Sequence, residues 1–323
     1  MTSSDNIFSL LDIAFSVTSP IFIIISLGAW LNHIKFINEE FIRIASKIIF
    51  NIGLPIMLFT NTASHDFNKL INLTHLAIIL ATTIIVFIVS QLTASQFIEN
   101  KRDKGVFVQG AFRGNLIILG LAFCSSAYGE KGIAIATLPM AIIIIVYNLL
   151  SIYTLNASLL TQSFSLKKSI DDIIKNPLII GIVAGLLVNS TKLPIPNVIM
   201  KSSHYLSQMT LPLALLAIGG SLNFLQMKEN LKPAIAASVF KIVLSPIIMI
   251  TLLLLFPIEK TAAGVLFFLA ASPTATASFI MVKAMNGNSD LAAKIIILST
   301  FVSIITVTFG FAMLVALNLI ALN

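Results

Sequence analysis

Charge is what this sequence has least of. Only 10% of its 323 residues are Asp, Glu, Lys or Arg, against about 25% in soluble domains. A chain that is 57% hydrophobic, with mean hydropathy +1.00, cannot hide so much apolar surface in a water-soluble fold. The one cysteine, Cys124, excludes an intrachain disulfide. The four histidines, His33, His65, His75 and His204, lack metal-ligand spacing, and no H-E-x-x-H, P-loop or G-x-G-x-x-G occurs. An enzyme is therefore not expected. No Lys or Arg precedes the first apolar run, so the basic region of a signal peptide is missing, and Ile13 to Leu31 reads as a retained helix. Asp and Glu are absent from the middle of every apolar segment.

What is present is long apolar segments, many of 18 residues or more, the length that crosses a hydrocarbon core. They lack the period-2 alternation of a transmembrane barrel. The fold class is all-α integral membrane. Ten segments can be read, at 13–32, 41–61, 71–97, 105–126, 132–158, 176–189, 200–224, 233–256, 261–284 and 291–320. The net charge of +7 would suggest nucleic acid in a soluble protein. Here the cations sit in short loops without interleaved aromatics, so the bilayer is the expected partner and nucleic acid is not.

Loop cations orient the bundle. Lys35, Arg43, Lys47, Lys101, Arg102, Lys104, Lys167, Lys168, Lys175, Lys228, Lys232, Lys283 and Lys294 fall on one side; Lys69, Lys131, Lys192, Lys201 and Lys260 fall on the other. The richer side is cytoplasmic. Both termini are then expected outside a cytoplasmic (inner) membrane, with the central loop inside. Arg113 and Lys241 are the two cations left within spans.

A shift of 157 places Pro20 on Pro177, Gly28 on Gly185, Asn32 on Asn189, Lys35 on Lys192, and Leu54-Pro55 on Leu211-Pro212. Such a repeat divides the chain into a five-helix unit at 1–158, a cytoplasmic linker at 159–175 and a second unit at 176–323. Five crossings per unit invert the second relative to the first, the plan of many secondary transporters.

Two spans carry corresponding interruptions. The fourth is broken at Arg113-Gly114-Asn115, and the ninth reads Ala271-Ser272-Pro273-Thr274-Ala275-Thr276. Pro273 removes a backbone donor and clashes with the turn before it. Paired breaks point to a transporter's binding site, and half-helix N-termini favour anions. Gly114, Asn115, Ser272, Pro273, Thr274 and Thr276 are thus candidate substrate-binding residues. Arg113 and Lys241 join them, because an intramembrane cation without a carboxylate near it suits an anionic substrate. For Arg113 an alternative stays open, that it reaches back to the cytoplasmic surface. Asn51 and Asn148 line the cavity or bridge helices. Pro55, Pro212 and Gly120 are candidate hinge or kink positions.

Asn51 with Leu54-Pro55, Gly114-Asn115 with Gly120, Tyr128-Gly129 with Asn148, Pro177 with Gly181 and Gly185, Pro212-Leu213-Ala214-Leu215 with Gly219-Gly220-Ser221-Leu222, Lys241 with Pro246, and Ala271 with Pro273 follow one another in order over nearly the whole chain. In these the sequence resembles the auxin efflux carrier family, in the form of its bacterial members. The resemblance implies ten spans in two inverted five-helix repeats with crossed, broken fourth and ninth helices. It also implies a scaffold domain and a moving transport domain. The family's crossover asparagine matches Asn115 and its ninth-helix crossover proline matches Pro273. At the fourth-helix crossover Gly114 and Asn115 stand where a proline is usual.

The expected function is a secondary carrier moving a small organic anion, a mono- or dicarboxylate, by alternating access. A sodium-coupled carrier of the bile-acid-symporter type and an anion channel are the alternatives. No cofactor is expected, and the coupling ion, H+ or Na+, is left open. A second copy of the chain, as a homodimer, is a candidate partner.

Overall fold

The computed structural model describes residues 3–64, 72–159, 175–222 and 231–321. Lys69, Lys167, Lys168, Lys228 and His65, and residues 160–174 of the expected linker, lie outside them. The described residues are all-helical except for one isolated pair of bridged backbone segments.

The helices are α1 (Ser3–His33), α2 (Glu39–Ile48), α3 (Leu54–Ser64), α4 (Leu73–Phe97), α5 (Lys101–Phe112), α6 (Leu121–Leu159), α7 (Pro177–Thr191), α8 (Asn197–Ser221), α9 (Lys232–Val239), α10 (Ser245–Leu255), α11 (Lys260–Ala271), α12 (Ala277–Ala284) and α13 (Ser289–Ala316). Among the described residues, six stretches are long and apolar enough to cross a membrane: Leu11–His33, Glu39–Ser64, Leu73–Phe97, Leu116–Leu159, Lys232–Leu255 and Ser289–Ala316. α7 and α11 are apolar but shorter.

Asparagine starts many of these helices. The side chains of Asn38, Asn72, Asn100, Asn176 and Asn288 each accept an N–H from the first turn that follows, the usual N-cap role. Proline shapes two others. α2 joins α3 through a wide π-helical turn, Ile49–Gly53, and α9 joins α10 through another, Phe240–Leu244. Pro55 and Pro246 each stand two residues past the end of the turn. A proline clashes with the carbonyl four residues before it; widening that turn relieves the clash without ending the helix. α6 is bent where Gly129 takes φ 58° and ψ −144°, values open to glycine. The bend separates the end of the fourth apolar segment from the fifth.

α1 packs along α8, and α3 along α7. Both contacts depend on missing side chains. A Cβ on Gly181 would come within 2.5 Å of the Pro55 carbonyl oxygen, and one on Gly185 within 2.8 Å of that of Phe59. Gly28 meets Leu216, and Gly219 meets Ile25, as closely. Gly185→Val is expected to lower stability by about 1–3 kcal/mol through overpacking. Gly129→Ala, where nothing lies within 4 Å, carries only the backbone strain of about 1 kcal/mol. Thermal unfolding of both variants in detergent measures the difference.

Polar contacts gather at the two ends of the bundle. At one end the Arg102 guanidinium donates to the Asn286 carbonyl at 3.0 Å and the Asn288 amide to Asp103 at 2.9 Å. At the other, Lys131 lies 3.5 Å from Glu259, the Tyr128 hydroxyl donates to the Ala321 carbonyl at 3.2 Å, and Glu130 lies 3.6 Å from His204.

Candidate functional site

α5 ends at Phe112 and α11 at Ala271, and beyond each the backbone leaves the helix and runs extended. The two extended pieces lie antiparallel. Asn115 N–H donates to the Pro273 carbonyl at 2.7 Å, and Ala275 N–H to the Arg113 carbonyl at 3.0 Å. Gly114 and Thr274 are therefore the opposed pair between two ladder bonds, the closer kind of antiparallel pair. Each break supplies the partners that the other lacks, which is the condition for unwound backbone away from water.

The side chains around the crossing occupy the groups that remain. Thr274 N–H donates to the Ser299 hydroxyl of α13 at 3.1 Å, and the Thr274 hydroxyl to the Gly110 carbonyl at 2.8 Å. The Ser272 hydroxyl donates to the Leu269 carbonyl at 2.8 Å. The Tyr147 hydroxyl of α6 lies close to the Gly114 backbone and the Thr83 side chain. Lys241, in the wide turn before α10, is 0% exposed. Its ammonium donates to the Ala270 carbonyl at 2.7 Å, and the Ser245 hydroxyl donates to the same oxygen at 3.0 Å. A cation there meets the negative end of the α11 half-helix. It also lies against Gly114, where a Cβ would be 2.6 Å from the Ser272 hydroxyl and 2.9 Å from Lys241 Cε.

Arg113 turns toward α6. Its Nη2 donates to Asn148 Oδ1 at 2.9 Å, and its Nη1 to the Ser151 hydroxyl at 3.1 Å, with Met281 Sδ at 3.4 Å. Among the described residues no Asp or Glu pairs with it. Asn115 is 5% exposed. Its Oδ1 accepts from Ile118 N–H at 3.4 Å and so starts the helix that resumes after the break. Its Nδ2 has no acceptor, and neither Gln109 Oε1 nor the Ser278 hydroxyl has a partner.

The crossing thus brings together Arg113, Gly114, Asn115, Ser272, Pro273, Thr274 and Lys241, with Asn148 joined through Arg113. Gly120 closes the wide turn after the break, its N–H donating to the Asn115 carbonyl at 2.9 Å. Asn51 stands apart: it is exposed and donates to the Lys47 carbonyl of its own helix at 2.9 Å. Tyr147, Ser151, Ser245 and Ser299 were not marked by the sequence. Tyr147, beside Asn148 and one of four tyrosines, had a signal to offer; the serines had none, because small hydroxyl residues occur throughout the spans.

Two cavities flank the crossing. One, of about 440 Å³, is walled by Ile49 and Phe50 of the wide turn, Ala214 to Leu222 of α8, and α13, and reaches Ile118, Thr276 and Ala277. It therefore touches the first turns of both helices that resume after the breaks, where N–H groups have no intrahelical acceptor. Its lining is mostly apolar, with Glu39, Ser46, Ser221 and Thr276 as its polar members. The other, of about 740 Å³, opens at the opposite end between α1, α3, α8 and the bend at Gly129, and Pro20 and Pro212 line it. Ala214 lines the first cavity and Leu215 the second; Ile118 lines the first and Ala122 the second. Along the chain, then, their linings come within four residues of each other on two elements.

A multi-pass helical protein with two broken helices between opposed cavities belongs among membrane transporters. The model of the family described as membrane transport protein matches residues 14–310, and the chain belongs to that family, the auxin efflux carrier family. It is also similar to an uncharacterized transporter of Methanocaldococcus jannaschii, 26% identical over 303 residues, which span 91% of this chain and 97% of the relative.

Proposed function

We propose that the protein is a secondary carrier for a small organic anion, a mono- or dicarboxylate with an apolar body, working by alternating access. The observation that carries this is the 440 Å³ cavity reaching the first turns of both resumed helices. The positive ends of two half-helices favour a carboxylate. Apolar walls from Ile49, Phe50, Ala217 and Ile218 suit the rest of the molecule, and the volume lies within the usual range for small-ligand sites. In this reading Asn115 Nδ2 donates to the carboxylate. Thr276 lies at its edge, and Arg113 and Lys241 supply positive potential from behind the crossing.

The same reading divides the chain into inverted five-helix units at 1–158 and 176–323, ten spans in all. Support comes from contacts that map onto each other under the shift of 157. Asn32 donates to the Gly220 carbonyl at 2.8 Å, and Asn189 donates to the Ala63 carbonyl at 3.1 Å. Both members of the first pair fall on the second when 157 separates Asn32 from Asn189 and Ala63 from Gly220. Gly28 against Leu216 and Gly185 against Phe59 are related in the same way. The excess of loop cations assigns the Arg102 end to the cytoplasm and the Glu130 end to the outside.

Counterflow in proteoliposomes tests the class. Vesicles loaded with unlabelled malonate, lactate or indole-3-acetate are expected to accumulate the labelled form of at least one, saturably. An anion channel gives flux without such trans-acceleration. Robust flux of a cation with none of any carboxylate overturns the reading.

A further inference from the structure

The wider cavity carries charge that the proposed carboxylate site does not use. It opens where α8 faces the bend in α6, and α8 is the span whose outer half is polar. Lys201, His204 and Gln208 succeed one another at three- and four-residue spacing along it, and all three line the cleft. Opposite them, at the bend, is Glu130, whose Oε1 lies 3.6 Å from His204 Nδ1. Gln208 Nε2 donates to the other ring nitrogen of His204 at 2.9 Å, which leaves the ring proton on Nδ1, facing Glu130. The remaining charges nearby are accounted for. Lys131, next to Glu130, is turned to Glu259 at 3.5 Å and to the Thr261 hydroxyl at 3.4 Å. The walls contributed by α1 and α3 hold Pro20, Ile21, Ile24, Met57, Thr60, Asn61 and Ser64, none of them charged. Among the described residues of the cleft, then, two basic side chains on one helix face a single carboxylate on another.

We propose that this cleft is an antechamber for the transported carboxylate, in which Lys201 and the His204 Nδ1–H dock the anion and Glu130 occupies its place when it is absent. The inference rests on the organic-anion reading above and adds a second, outer binding site to it. Three features support it. The cleft ends at Ala122 and Leu215, within four residues along the chain of the inner cavity's Ile118 and Ala214, so it lies on the same seam. Its chemistry suits an anion that is still partly hydrated: cationic and amide groups with Ser125 and Ser126, rather than the apolar walls of the inner cavity. The Glu130–His204 contact joins α8 to the bend between two helical segments, and both side chains are more than one-third exposed. An exposed pair of this kind is weak and exchangeable, so a substrate carboxylate competes with Glu130 on nearly equal terms. Exchange of one carboxylate for another releases the tie across the cleft as the anion arrives.

The native thiol makes the test direct. Cys124 is buried and 0% exposed, so a Ser125→Cys variant offers a single reactive thiol in the cleft. Its alkylation by a charged, membrane-impermeant reagent is followed in reconstituted protein with malonate, lactate or indole-3-acetate outside, and with choline as control. The carboxylate that shows counterflow is expected to slow labelling saturably, and choline is not. Adding Glu130→Gln removes the competitor and is expected to lower the half-protecting concentration about five-fold, the scale of one exposed ion pair. Adding Lys201→Gln with His204→Gln is expected to raise it at least about ten-fold. All three positions are surface-exposed, and unchanged melting temperatures verify the fold. Protection that the Lys201→Gln and His204→Gln changes leave unaltered overturns the antechamber, as does no protection in a protein that exchanges one of the three carboxylates; in both cases the inner site stands. Counterflow of none of the three removes the anion reading, and the antechamber with it.

Discussion

Asn115→Ala is expected to reduce carboxylate counterflow about 100-fold while costing only about 1 kcal/mol of stability. The two effects separate because the amide has two ends with different partners. Oδ1 accepts from Ile118 N–H and starts the resumed helix; losing that acceptor is the ordinary loss of an N-cap. Nδ2 is buried and has no acceptor, and Ile118, whose N–H the same side chain caps, lines the inner cavity. In the proposed carrier the substrate carboxylate is the Nδ2 acceptor, and removing the amide leaves that carboxylate short of a donor. Asn115→Asp sharpens the comparison. An aspartate still accepts from Ile118, so the cap survives, but it offers negative charge where a donor is needed. Its melting temperature is expected near that of the native protein, with carboxylate counterflow lost. Native-like counterflow in Asn115→Asp removes the amide from the binding site.

The helices were legible in the sequence because lipid enforces a simple pattern. Long apolar segments and their Pro, Gly and Asn punctuation follow from the lack of backbone partners in hydrocarbon. The described residues of the ten apolar segments are helical for most of their length, with breaks at Arg113–Asn115 and Ser272–Thr276 where the glycine and proline suggested, and six stretches among them are long and apolar enough to cross a membrane. The shift of 157 was visible at Asn32 and Asn189, and the structure adds their matched acceptors. The partners of the crossing were not legible. Gly114 opposite Thr274 is a contact across 160 positions, and nothing local to either residue announces the other. Ser299 and Ser245 are indistinguishable in sequence from serines that bond only their own helix, such as Ser90 and Ser303. Asn51 had the composition of a site residue but sits in the wide turn with its side chain outward; polarity alone does not report the face of a helix whose turn size has changed. The wide turns themselves hide because only the proline that follows each one is written in the sequence.

Arg113 separates charge from shape. Its guanidinium forks to Asn148 and Ser151 of α6 and so fixes the end of α5 against that helix. It also leaves a positive charge near the crossing with no Asp or Glu against it among the described residues. Arg113→Lys keeps the charge but cannot reproduce a planar fork to two acceptors. Arg113→Met keeps much of the stem and loses both, leaving Asn148 Oδ1 without its donor. If the charge draws the anion, Arg113→Lys retains measurable counterflow, down about ten-fold, and Arg113→Met loses it by about 100-fold or more. If the residue acts only as a brace between α5 and α6, the two variants fall together, and Asn148→Leu combined with Arg113→Met recovers stability because both polar partners have been removed at once. Counterflow and thermal unfolding of the four proteins, native and variant, decide between these outcomes. Equal counterflow in Arg113→Lys and Arg113→Met overturns the electrostatic role. The expected result is the graded one. An uncompensated cation in a membrane interior is costly to keep, and two neutral acceptors on α6 make poor compensation for a bracing role that an uncharged amide could fill. An arriving carboxylate supplies the missing counter-charge, and only while it is bound.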